Sequence, residues 1–220
     1  MLSAPSSFNL SEPHLAARGL ACRRGSRLLF SKVDLALCPS ELVWLRGRNG
    51  RGKTSLLRLA AGLAPPESGQ VLWGATPVRR AEGFTSALVF IGHSNALKDD
   101  LTVSEALHFL ARLHGRPDDA ATLRAALERL GIATRRDAFV RTLSQGQRRR
   151  AALARLALEP RATLWILDEP YDALDVDGVQ VVNELLQAHL ARGGAVLLTS
   201  HLAPGDAAPP LAPFDLDAFA

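Results

Sequence analysis

The run Gly47-Arg-Asn-Gly-Arg-Gly-Lys-Thr54 constrains this chain more than any other stretch. Its spacing, G-x-x-x-x-G-K-[ST], uses glycines to let successive backbone N–H groups wrap a phosphate chain. Such a loop works where a strand delivers it and a helix starts directly after it, because the helix N-terminus adds positive potential to the same anion. Both flanks are present: Leu42 to Leu45 is a short apolar run, and an apolar-periodic helix from Lys53 to Leu63 stops at Gly62 and Pro65. A plain Gly-rich turn is the bland alternative, and this context disfavours it.

The rest of the chain alternates in the same way. Strands are expected over 14–21 and 27–37, the second with Val33, Leu35 and Leu37 on one face, followed by strands over 70–73 and 87–91. Some fifty helical residues come next. Thr102 and Glu105 make a capping box for a helix to about His114, and Pro117 opens another that ends at Gly131. A helix over about 145–158, a strand over 163–167, a helix from Val179 to Arg192 and a strand from Ala195 to Thr199 complete the pattern. Alternation of this kind predicts an α/β fold, a parallel sheet wrapped by helices. One domain is expected over 14–202, with a helical subdomain at about 96–140, a loose Ser/Pro-rich lead-in over 1–13 and a short Pro/Ala-rich tail over 203–220. In the helical part Leu107, Leu110 and Leu113 are expected to build local core.

Composition narrows the function classes. At 220 residues, 47% hydrophobic and a formal charge of +4, the chain can bury a sizeable core and lies far from the disordered regime. Three of the 26 cations are lysines, so 26 − 3 = 23 are arginines, scattered among few aromatics; nucleic acid is therefore discounted as a partner. The densest basic run, Arg148 to Arg150, reads as a solvated helix face. Cys22 and Cys38 form neither a disulfide framework nor a metal-ligand spacing. No signal peptide is read at the N-terminus, and no apolar run approaches the ~20 residues a bilayer span needs. The expectation is a cytosolic protein that reaches a membrane only through a partner.

Three segments carry chemistry. In the first, Gly47, Arg48, Asn49, Gly50, Arg51, Gly52, Lys53, Thr54 and Ser55 form the phosphate cradle, Lys53 reaching the β/γ-phosphates and Thr54 ligating Mg²⁺. Arg48 and Arg51 are expected to point to solvent. In the second, Leu164-Trp-Ile-Leu-Asp-Glu169 is a strand ending in two carboxylates where ligands sit in an open α/β sheet. Asp168 can hold Mg²⁺, and Glu169, aimed differently, can polarise a water. The third, Leu143-Ser-Gln-Gly-Gln147, opens the Arg-rich helix. Ser144 and Gln147 fit a capping box there, and the same helix N-terminus fits an anion site; the two readings weigh equally.

Leu143-Ser-Gln-Gly-Gln147 resembles the signature motif of ATP-binding-cassette (ABC) ATPases, and it lies between the phosphate loop and the Asp-Glu strand in that family's order. Ala173-Leu-Asp175 resembles the following D-loop, and Thr199-Ser-His201 the switch histidine. The five motifs run over residues 14–201. The resemblance implies a P-loop NTPase core with an N-terminal antiparallel β part and a helical subdomain. It also implies MgATP held between two head-to-tail cassettes, one giving the phosphate loop, the other Ser144, Gln145, Gly146 and Gln147. Glu169 would then activate water, His201 contact the γ-phosphate and Asp175 join the two sites.

Two positions depart from that family. Where its adenine-stacking aromatic belongs, near 23–26, this chain has Arg-Arg-Gly-Ser, so either Arg24 stacks through its guanidinium plane or adenine is held loosely. The glutamine expected after Ile91 is replaced within Gly92-His-Ser-Asn95 by Ser94, too short for the same contact unaided; His93 or a bridging water is the candidate substitute. Softer markers, including Gly-Gln-Val-Leu-Trp73 and Leu-Thr-Val-Ser-Glu105, resemble the ATP-binding subunits of the bacterial cytochrome c maturation (heme exporter) branch. That branch implies a CcmB-like permease with a CcmC-like protein nearby, at the cytoplasmic face of the inner membrane. The species moved is either heme or, alternatively, none, hydrolysis releasing a heme-loaded chaperone. No heme ligand is read here, since His93, His108, His114 and His189 look like surface or helix residues without a paired Cys or Met. The competing readings are a cassette for a lipid, drug or peptide, and a soluble nucleotide-switched module.

Overall fold

The structure, a computed structural model, describes residues 14–201 and 208–219. The expected lead-in over 1–13 and the first part of the tail lie outside the described residues. In chain order come β1 (Leu15–Arg24), β2 (Arg27–Leu37), β3 (Leu42–Arg46), α1 (Lys53–Ala60), β4 (Ser68–Trp73), β5 (Thr76–Pro77), a one-turn α2 (Phe84–Ala87) and β6 (Leu88–Ile91). They are followed by α3 (Val103–Leu113), α4 (Ala120–Arg129), α5 (Gln145–Ala157), β7 (Leu164–Leu167), α6 (Val176–Ala191), β8 (Ala195–Thr199) and β9 (Ala212–Asp215).

Two sheets organise these elements. An antiparallel sheet has the order β2-β1-β4-β5, and a parallel one the order β6-β7-β8-β3-β9. In β2, Val33, Leu35 and Leu37 are buried while Lys32, Asp34 and Ala36 face out, the period of two that a half-buried strand requires. The parallel strands are apolar on both faces, and their alternation divides the core. Leu164, Ile166, Leu197 and Leu45 pack with Leu56, Leu57 and Leu59 of α1 and with the antiparallel sheet. Trp165, Leu167, Val196 and Leu198 pack on the opposite side against the helices that follow.

Local chemistry sets the helix boundaries. The Thr102–Glu105 capping box at α3 has both arms in place. The next helix begins at Ala120, three residues beyond Pro117, because Asp119 caps it through the Thr122 N–H. Likewise α6 starts at Val176 instead of Val179, since Asp175 Oδ1 accepts from the Gly178 N–H at 2.8 Å. Of the three expected core leucines, Leu107 and Leu110 are buried but Leu113 is 63% exposed. At about 100° per residue, Leu113 sits about 240° round the helix from Leu107 and leaves the apolar stripe.

The Pro/Ala-rich tail does more than close the chain. Its residues Ala212–Asp215 form β9, which pairs in parallel with β3 in the register Val43↔Ala212 and Leu45↔Phe214, and a 3-10 turn over Leu216–Phe219 buries Leu216 under the phosphate loop. Pro213 is tolerated because β9 is an edge strand.

Candidate functional site

The parallel sheet brings the ends of β3, β7 and β8 to one edge, and the residues read from the sequence as phosphate- and metal-binding gather there around a cavity of about 410 Å³. Asn49 to Ser55 line it, with Asp168 and Glu169 from the end of β7 and His201 just beyond β8. Gly52 caps α1 at φ +102°, a conformation that favours glycine, and a Cβ there would press on the Phe30 ring at 3.1 Å. Lys53 Nζ donates to the Gly47 carbonyl at 2.7 Å, which curls the lysine back over the loop it serves.

Asp168 and Glu169 are buried and held by different partners. Thr54 Oγ1 donates to Asp168 Oδ2 at 2.9 Å, and Thr199 Oγ1 donates to Asp168 Oδ1 at 2.8 Å. Thr199 also accepts from the Glu169 N–H at 3.0 Å, so one hydroxyl fixes both neighbours. Glu169 has φ +51°, which turns its side chain away from that of Asp168. Its Oε2 accepts from the His201 N–H at 2.8 Å, whereas buried Oε1, 3.5 Å from His201 Nε2, has no hydrogen-bond partner among the described residues. A buried carboxylate oxygen with no hydrogen bond, on a residue that lines the cavity, keeps the capacity to accept one from a water. The hydroxyl of Thr54 and the carboxylate of Asp168 are hard oxygen donors side by side, the donor set that Mg²⁺ selects when substrate phosphates complete its shell.

The two loop arginines separate. Arg48 is exposed as expected, but Arg51 is only 14% exposed in its side chain and lines the cavity. The cause is the tail: Asp217 Oδ1 lies 3.1 Å from Arg51 Nε, and Asp217 Oδ2 accepts from the Arg48 N–H at 3.1 Å. Arg24 lines the cavity mouth together with Arg27, and His93 lines it 3.8 Å from Asp172, while Ser94 is exposed and outside it.

Ser144 and Gln147 make both arms of a capping box at the start of α5, and Gly146 is required because a Cβ there would come within 2.6 Å of the Ala173 carbonyl. None of Ser144, Gln145, Gly146, Gln147 or Asp175 lines the cavity. Asp175 instead caps α6 and pairs with Arg150.

The solvated face expected for Arg148 to Arg150 is corrected. Arg148 is partly exposed against Asp99, but Arg149 is 3% exposed and bonded to five oxygens beneath the carboxylates. Helical spacing was the available signal: Arg149 shares a face with buried Ala152, Leu153 and Leu156. His189 is also not a surface residue. It lies on α6, as a helix residue, and is fully buried with its ring 3.8 Å from that of Trp165.

Residues 30–172 match the ABC transporter family. The chain belongs to that family. Its relatives include the cytochrome c biogenesis ATP-binding export proteins CcmA of Albidiferax ferrireducens, 46% identical over 86% of this chain and 90% of that one, and of Methylococcus capsulatus, 48% identical over 87% and 93%. The CcmA of Pseudomonas putida is 48% identical over 86% and 89%. An ABC transporter ATP-binding protein from Pyrococcus furiosus shares the fold at a TM-score of 0.77 and 22% identity, covering 94% of this chain and 98% of that one. As an ABC family member the chain is an ATP-hydrolysing cassette of the transporter type. Among the described residues no helix is long and apolar enough to cross a membrane.

Proposed function

We propose that this ABC cassette is the ATPase subunit of a transporter complex in c-type cytochrome biogenesis. It would work as a head-to-tail pair against a separate CcmB-like permease, with a CcmC-like protein nearby, at the cytoplasmic face of a bacterial inner membrane. What supports the chemistry is one juxtaposition: the loop, the Thr54–Asp168 pair and Glu169 line one cavity, while Ser144 and Gly146 stand outside it at the start of α5. What supports the process is the likeness to the three CcmA proteins over most of both chains.

In this reading the N–H groups of the loop and Lys53 bind the β- and γ-phosphates, and Arg24 stacks on adenine. Thr54 and Asp168 hold Mg²⁺, which when bound neutralises phosphate charge. Glu169 Oε1 accepts the proton of a water as its oxygen attacks the γ-phosphorus and the bond to the ADP oxygen breaks. His201 steadies both the carboxylate, through its backbone N–H, and the γ-phosphate, through its ring. His93, facing the cavity, replaces the glutamine that Ser94 cannot mimic. Asp175 reaches across the dimer. The energised step is heme export or release of a heme-loaded chaperone.

The test is Glu169→Gln, which keeps shape but removes the base. Turnover should fall by about 10²–10⁴-fold while MgATP still binds. Used as affinity bait in detergent-solubilised membranes with MgATP, the variant should recover the cytochrome c maturation permease. Recovery of a lipid, drug or peptide permease keeps the ATP chemistry and discards the cytochrome assignment, and near-normal turnover places the base elsewhere.

A further inference from the structure

Arg149 has five N–H donors, and all five are used on buried or half-buried acceptors around the carboxylates. Nη2 donates to the carbonyls of Asp168 and Glu169, each at 2.7 Å. Nε donates to the Pro170 carbonyl at 3.3 Å. Nη1 donates to the Gly92 carbonyl at 3.1 Å and to Asn95 Oδ1 at 2.7 Å. The guanidinium thus joins three segments distant in sequence: the loop after β6, the end of β7 and helix α5, whose first residues are the signature motif.

Two features make this more than a buried salt of the core. Glu169 holds φ +51°, an angle a glutamate keeps only when its surroundings fix it, and Asn95 holds φ +52°, which asparagine adopts more readily. Arg149 bonds the carbonyl of the first and the side chain of the second. Also, Arg149 is not among the residues that line the cavity, so it stands behind the carboxylates and not among the groups facing that space.

We infer that Arg149 is a positioning residue that locks Glu169 and the Gly92–Asn95 loop to the signature helix α5, so that displacement of α5, together with the α3 and α4 helices packed on it, moves the catalytic carboxylate. A planar fork with five fixed directions can hold these acceptors together; a lysine ammonium, with three donors at one point, cannot. The kinetic consequence rests on Glu169 being the base, whereas the mechanical one does not.

The experiment uses the full chain. Arg149→Lys should lower kcat by about 10- to 100-fold, the scale of a misplaced catalytic group, while KM for MgATP stays within about twofold. Asn95→Ala, which removes one acceptor and leaves the arginine, should lose kcat in the same direction by a smaller factor. In a Glu169→Gln background, Arg149→Lys should cost no further rate, because the lysine variant acts through the carboxylate. Hydrogen–deuterium exchange should rise in 88–98 and 164–172 and stay unchanged in α1. An unchanged kcat, an equal loss with and without Glu169, or an exchange increase spread evenly over the chain overturns the inference. If Lys53→Ala turns over ATP like the parent protein, the ATPase reading fails instead, and the exchange pattern still decides for or against Arg149.

Discussion

At the scale of single residues, the loop over 47–54 is held by more than its own motif. Asp217 contributes one oxygen to the Arg48 N–H and the other to the Arg51 guanidinium, so it both braces the loop and cancels a cation that lines the cavity. Asp217→Asn retains an acceptor for the N–H but removes the charge. Arg51 is then free to face phosphate, and MgATP should bind about two- to fivefold tighter at low salt, the size of a partly exposed ion-pair effect, with the difference lost at high salt. Titration of nucleotide binding at two ionic strengths reads this, and equal affinities would show that the carboxylate does not compete with phosphate. Sequence reasoning misses this pair because nothing in residues 47–55 indicates that a carboxylate 166 positions after Arg51 will fold under them. Arg149 is different. Its spacing from Ala152, Leu153 and Leu156 marks it as facing the core, whereas three adjacent arginines by composition alone resemble a solvated face.

At the scale of elements, the pieces with local causes were legible. The strand–loop–helix unit, the Thr102 and Ser144 capping boxes and the alternating β2 all follow from residues within a few positions of one another. Boundaries slipped where a different cap won, as at Asp119 and Asp175. The β9 strand had no local signal, since Ala-Pro-Phe-Asp is a poor strand sequence and is fixed by the open edge of β3. Ending the chain after Pro210 should therefore expose that edge and remove both Leu216 and Asp217 from the loop. The expected outcome is a melting temperature lower by several degrees, about 2–4 °C for each kcal/mol lost in a domain of this size, together with self-association visible by light scattering. A truncated protein with unchanged melting and no association would show that β9 is dispensable to the sheet.

At the scale of the whole molecule, the buried His189 links stability to acid. Its Nε2 donates to the Thr163 carbonyl at 2.8 Å, its Nδ1 has no hydrogen-bond partner among the described residues, and burial presses its pKa down to about 4 from 6.5. Because the folded value lies below the unfolded one, this contribution is complete above about pH 6.5 and is lost as pH falls towards 4. The loss reaches about 3 kcal/mol at 1.36 kcal/mol per pH unit. His189→Gln keeps a donor for Thr163 and cannot titrate, so its urea midpoint should change less between pH 7 and pH 4.5 than that of the parent chain. Parallel pH profiles would remove His189 from the account.

Legible in the residues were the α/β alternation, a glycine loop between strand and helix, a strand ending in Asp168 and Glu169, and the capped start of α5. Each depends on backbone angles or spacings within a short stretch, and physics ties those directly to residue type. Tertiary structure alone decided that Arg149 sits beneath the carboxylates, that Asp217 engages Arg51, that His189 stacks on Trp165 and that the tail becomes a strand. Those contacts join residues 19 to 169 positions apart in the chain. Which acceptor a long side chain meets at such separations is set by how the sheet is ordered and the helices packed upon it.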